Sequence, residues 1–168
     1  MILRRIGVAG IVACVVALAW YLGSPLFIRT TVNEALPTAR PTLAAGSASV
    51  SVTAAPASPP VTLASGELRR VDALHNGTGA VLLVRTGDAT VLRFENVAIT
   101  NAPDVHVYLS TDQGGRWSEA TSVYLGPLKA TNGSFNYIVP ADQNVSLDRS
   151  VVVWCRQFSV LVTWADLH

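Results

Sequence analysis

Apolar positions are arranged in two ways along the chain. Near the N-terminus they are continuous, with 23 consecutive positions, 6–28, free of charged side chains. Beyond residue 60 they form short β-branched and aromatic runs at 80–85, 90–94, 105–110, 123–125, 135–139, 150–155 and 159–164. Turn-forming pairs separate these runs: Asn76-Gly77, Gly87-Asp88, Gly114-Gly115 and Asn132-Gly133. Thr86-Gly87-Asp88-Ala89, between two apolar runs, is a hairpin signal. The C-terminal part is therefore predicted to be all-β, an antiparallel β-sandwich of about seven or eight short strands.

Alternation then assigns faces. Val105, Val107 and Leu109 share one side of their strand, and Asp104, His106 and Tyr108 share the other. The polar row is expected to be the solvated face of an outer strand. The runs at 150–155 and 160–162 are apolar on both faces, as in central strands. There Cys155 points with Val151 and Val153 toward a predicted core, while Trp154 points with Val152 and Arg156.

As a helix, the uncharged N-terminal run would reach about 34 Å, enough for a hydrocarbon core of about 30 Å. Arg4 and Arg5 precede it and Arg29 follows, which favours the N-terminus inside the cell. Residues 1–29 are expected to be a single-pass signal anchor in the cell membrane, with the C-terminal domain outside the cytoplasm. Two alternatives stay open. Ala17-Leu18-Ala19 suits a cleaved signal peptide, and Ile11-Val12-Ala13-Cys14 resembles a lipobox with Cys14 lipidated. Residues 30–62 are rich in Ala, Ser, Thr and Pro, with Pro37, Pro41, Pro56, Pro59 and Pro60 among them, and read as a disordered linker. Residues 63–168 remain as the folded domain.

That domain carries eight Lys or Arg side chains against ten carboxylates, so a basic nucleic-acid surface is excluded as its design. It has one cysteine. Cys14, the other, lies in the N-terminal run, so Cys155 has no intradomain disulfide partner. Either Cys155 is a small buried hydrophobe or its redox chemistry is used.

Several short motifs in order carry a family resemblance: Asn101-Ala-Pro-Asp104, His106-Val-Tyr-Leu-Ser110, Leu125-Gly-Pro-Leu-Lys129, Gly133 with Asn136-Tyr137 and Pro140, and Ser150-Val-Val-Val-Trp-Cys155 with Phe158-Ser-Val160 and Ala165-Asp-Leu167. With Gly66, His75 and Gly79 upstream, residues 66–167 resemble the DM13 domain. The resemblance implies a β-sandwich-type extracellular or periplasmic module with a near-invariant cysteine, which looks like Cys155 here. It also implies an electron-transfer role, a label resting on that cysteine and on relatives whose domain accompanies DOMON and cytochrome-b561-like domains. The chain departs from the family at Ala102, usually Gly, and at Phe135, usually polar, where a polar surface position is expected to have become apolar.

The remaining chemistry is sparse. His75, Asp104, His106 and Cys155 would be a conceivable metal set, with Tyr108 on the same face, but their spacing has no metal signature. Trp117, in the Gly-containing loop 111–120, is a candidate anchor for a ligand or partner or, equally, a partly buried plug of the loop. Neither a Gly-x-Ser-x-Gly nor a phosphate-cradling motif occurs, and the domain reads as non-enzymatic. The cofactor is unknown. The sequence thus predicts a tethered redox accessory domain using Cys155 or, alternatively, a cell-surface binding module with a structural cysteine. Its partners would be the membrane and a redox or cell-surface protein.

Overall fold

A computed structural model describes residues 10–21, 29–37 and 59–168. Residues 10–21 form a helix. Among the described residues no helix is long and apolar enough to cross a membrane. Residues 1–9 and 22–28 of the expected anchor, and residues 38–58 of the expected linker, lie outside the described residues.

The β-runs of the sequence become strands of two sheets. The first sheet has the order β1-β7-β4-β3-β2 and the second β6-β5-β8-β9. The strands are β1 (Thr31–Asn33), β2 (Val61–Glu67), β3 (Gly77–Thr86), β4 (Ala89–Ile99), β5 (Val105–Ser110), β6 (Ser122–Pro127), β7 (Asn132–Ile138), β8 (Ser150–Cys155) and β9 (Val160–Asp166). Gly87 at φ 60 opens the two-residue turn between β3 and β4, where Thr86 pairs Ala89. This is the primed geometry that matches strand twist.

One core joins the sheets. Val81, Leu83, Leu92, Phe94, Phe135 and Tyr137 of the first meet Val105, Val107, Leu109, Val151, Val153, Cys155 and Val162 of the second. Phe135 is wholly buried and stacks on Phe94 at 5.1 Å, so it belongs to the core and not to the expected polar surface. Its alternation with Ser134 and Asn136 puts it there, because those neighbours turn to the other face.

The segment beginning at Thr30 departs from the linker expected there. Thr31–Asn33 pair with β7 in parallel, which makes nine strands and one non-antiparallel pairing among the described residues. Side chains also hold the segment. Glu34 accepts hydrogen bonds from the backbone and side-chain amides of Asn136 and from Lys129 Nζ (2.9 Å), while Arg93 donates to the Glu34 carbonyl. β2 also starts two residues before the expected domain boundary, at Val61.

Candidate functional site

The outer face of the second sheet is where side chains with chemistry converge. His106 and Tyr108 project there from β5, Trp154 from β8 and Tyr124 from β6, with Tyr108 directly opposite Tyr124. A register shift between Val107 and Tyr108 in the β5–β6 ladder lets Leu125 pack on the core while Tyr124 keeps to the outer face. Just past β8, Arg156 reaches back over the tyrosines, its guanidinium carbon 4.4 Å from the Tyr124 ring centre and 5.6 Å from that of Tyr108.

Loop 111–120 closes the face. Ser150 donates to the Asp112 carbonyl (2.7 Å), Ser110 to that of Arg116 (3.1 Å), and the Gly114 amide to Asp166 (2.9 Å). Gly115, at φ 70, lies so close to Trp164 that a Cβ would meet its Cγ at 2.6 Å. Only glycine allows that approach, and it lays Trp117 flat on Trp154. Their ring centres are 5.1 Å apart with planes 17° from parallel, and Tyr108 meets Trp117 edge-on at 5.6 Å. Of the two expectations for Trp117, the packing matches a partly buried plug. A concavity of about 540 Å³ opens here, bounded by Tyr108, Trp117, Tyr124, Trp154 and Arg156 with Glu119 at its rim.

Of the polar row expected to be solvated, only Asp104 is. His106 and Tyr108 are 8% and 4% exposed, because the aromatic cover lies on them. Each has a defined partner. His106 Nδ1 is 2.9 Å from the Tyr124 hydroxyl, and Nε2 is 2.6 Å from Asp104 Oδ1. Asp104 stands at φ 58 after Pro103 and keeps half of its side chain in solvent. Arg156 Nε donates to the Tyr108 hydroxyl at 2.6 Å, and this bond holds the guanidinium proton more tightly than usual.

Cys155 is on the other side of the same sheet. It is wholly buried, unpaired, and its thiol donates to the Pro103 carbonyl at 2.8 Å. Alternation separates it from His106 and Arg156, which both face outward. His75 is elsewhere again, in the turn before β3, with Nδ1 2.7 Å from Asp72. The His75 ring, then the His75 and Leu74 amides, lower the Asp72 carboxyl to about 2. The conceivable His75/Asp104/His106/Cys155 metal set is thus not assembled. Among the described residues no group of three or more His, Cys, Asp or Glu side chains could hold a metal ion.

Residues 69–167 match the family model described as Electron transfer DM13. The chain belongs to the DM13 family. Among curated proteins and among solved structures, no match was found. Membership gives the DM13 domain a redox-related association, and its most oxidisable side chains are distributed over the two faces just described. Tyr124, Arg156 and Trp154 were not singled out as site residues by the sequence. Alternation within 122–127 could have placed Tyr124 on an outer face, but not opposite Tyr108.

Proposed function

We propose that the chain is a membrane-tethered, extracytoplasmic accessory domain that passes single electrons across the aromatic face of its second sheet. The observation carrying this reading is the unbroken contact of four oxidisable rings. Tyr124 meets Tyr108 at 5.4 Å, Tyr108 meets Trp117 at 5.6 Å, and Trp117 meets Trp154 at 5.1 Å. The groove beside them offers a docking place for a donor or acceptor.

Cys155, the redox group expected from the sequence, is less suited to the task. Thiol–disulfide exchange needs an accessible thiolate. A thiol sealed in the core and bonded to a carbonyl has neither access nor a base to take its proton. Its role in this reading is packing. Tethering is supported by the uncharged run 6–28 behind Arg4 and Arg5. With β1 in the sheet, residues 22–30 alone connect helix 10–21 to the domain, a span of at most about 30 Å. Retention in carbonate-washed membranes, with the domain cut by protease added outside the cell, tests that placement.

A binding module remains the second reading, and one observation favours it. Trp117 Nε1 and Ser122 Oγ are buried without a partner, and both residues line the groove. A ligand bringing hydrogen-bond acceptors would satisfy them.

Oxidation by hexachloroiridate(IV), counted in equivalents consumed, separates the readings. Wild type and Cys155→Ser are expected to consume equal amounts, and Trp154→Leu to react more slowly. Loss of all uptake in Cys155→Ser would return the role to the thiol. Uptake no faster than that of the denatured chain would leave the binding module.

A further inference from the structure

We infer that Tyr124 is a redox-active tyrosine whose proton is taken by His106 as its electron leaves. The inference rests on the electron-transfer reading and assigns the residue where charge is held. A phenol gives up an electron readily only if a base receives its proton, because the oxidised phenol is a strong acid. Of the two phenols in the cluster, Tyr124 meets a base and Tyr108 meets a cation.

The geometry fixes which ring nitrogen acts. An ionised Asp104 can only accept, so in the neutral imidazole Nε2 carries the proton toward Oδ1 at 2.6 Å. Nδ1 then presents its lone pair to the Tyr124 hydroxyl at 2.9 Å. In the step, the Tyr124 O–H bond breaks, one electron passes to an oxidant, and the proton forms a bond to Nδ1. The products are a neutral tyrosyl radical and an imidazolium held by the Asp104 carboxylate. The oxidant is a one-electron metal centre of a partner, ferric or cupric, which becomes ferrous or cuprous. Return of one electron from a reduced partner, with the proton from Nδ1, restores the phenol.

The charged surroundings support the coupling. Arg156 lies 4.4 Å from the Tyr124 ring centre and would repel a ring that lost its electron but kept its proton. Asp104 supplies the opposite charge on the far side of His106, where its carboxylate steadies the imidazolium that forms. Asp104 and His106 also line a second concavity of about 250 Å³ that shares no lining residue with the aromatic groove, so the base stands apart from the place where a redox partner would dock.

The test is rapid-freeze electron paramagnetic resonance of the full chain in detergent, oxidised with hexachloroiridate(IV). Wild type and Cys155→Ser are expected to give a neutral tyrosyl spectrum that Tyr124→Phe lacks. In His106→Gln the radical should form about a hundredfold more slowly, the scale of a lost general base. A solvent deuterium isotope effect on wild-type oxidation provides a readout that needs no variant. A radical that persists unchanged in Tyr124→Phe, or oxidation indifferent to both deuterium and His106, overturns the Tyr124 assignment while leaving electron transfer standing. A wild-type chain oxidised no faster than its denatured form overturns both.

Discussion

At the scale of single residues, neighbours decide chemistry more than residue type does. Cys155 and Tyr124 are both oxidisable, yet the thiol donates to a peptide carbonyl while the Tyr124 hydroxyl lies 2.9 Å from an imidazole backed by a carboxylate. The carbonyl cannot hold a proton, so the thiol is expected to stay inert. Titration with an aromatic disulfide reagent should label Cys155 only after denaturant is added. Cys155→Ser should cost about 1–3 kcal/mol in urea unfolding, because a more polar hydroxyl replaces a thiol at a fully buried site. Rapid native labelling would contradict this account. The burial of Cys155 was legible from its alternation with Val151 and Val153. The Tyr124–His106 bond was not, since their 18-residue separation carries no periodic signal.

At the scale of elements, the sequence reading succeeds where a strand shows its own alternation. The runs 105–110 and 150–155 coincide with β5 and β8. It fails at β1, whose three residues have too little pattern to register and are ordered by the free edge of β7. Glu34 is the main fastening. Burial raises its pKa, but the hydrogen bonds from Lys129 and Asn136 outweigh that and leave it lowered. Glu34→Ala should therefore weaken the domain by about 1–3 kcal/mol, the cost of leaving donors unpaired. Hydrogen exchange should show the loss first at the β7 amides. Loop 111–120 depends similarly on Gly115, where alanine would need an unfavourable φ and would strike Trp164. Gly115→Ala is expected to lift Trp117 off Trp154, seen as a shifted tryptophan emission with a stability loss of at least about 1 kcal/mol.

For the whole molecule, acid response is the property to which several carboxylates contribute with opposite signs. Asp72 and Glu34 have lowered pKa values, so each stabilises the fold above its unfolded value and loses that contribution as pH falls through the folded one. Asp148 is the reverse. Burial raises its pKa despite a hydrogen bond from Gln143, and its second oxygen has no partner. Its charge therefore penalises the fold at neutral pH, and the penalty fades as pH drops through its raised value. Thermal unfolding should show Asp148→Asn more stable than wild type at pH 7, by about 1 kcal/mol or 4–8 °C, with the difference gone at pH 3. An equal gain at both values would mean that charge burial is not the cause.

The sequence by itself determined the β-class, seven of the nine strands among the described residues, the inward turn of Cys155 and membership in a family associated with electron transfer. Those properties are carried by local periodicity and short ordered motifs. Tertiary structure alone decided that the segment after residue 30 joins a sheet edge, that Phe135 is core, and that Asp104, His106 and Tyr124 come within hydrogen-bond distance of one another in succession. Each of these depends on which strands pair and in what register. Pairing is a contest between distant edges, in which no stretch of sequence holds both competitors.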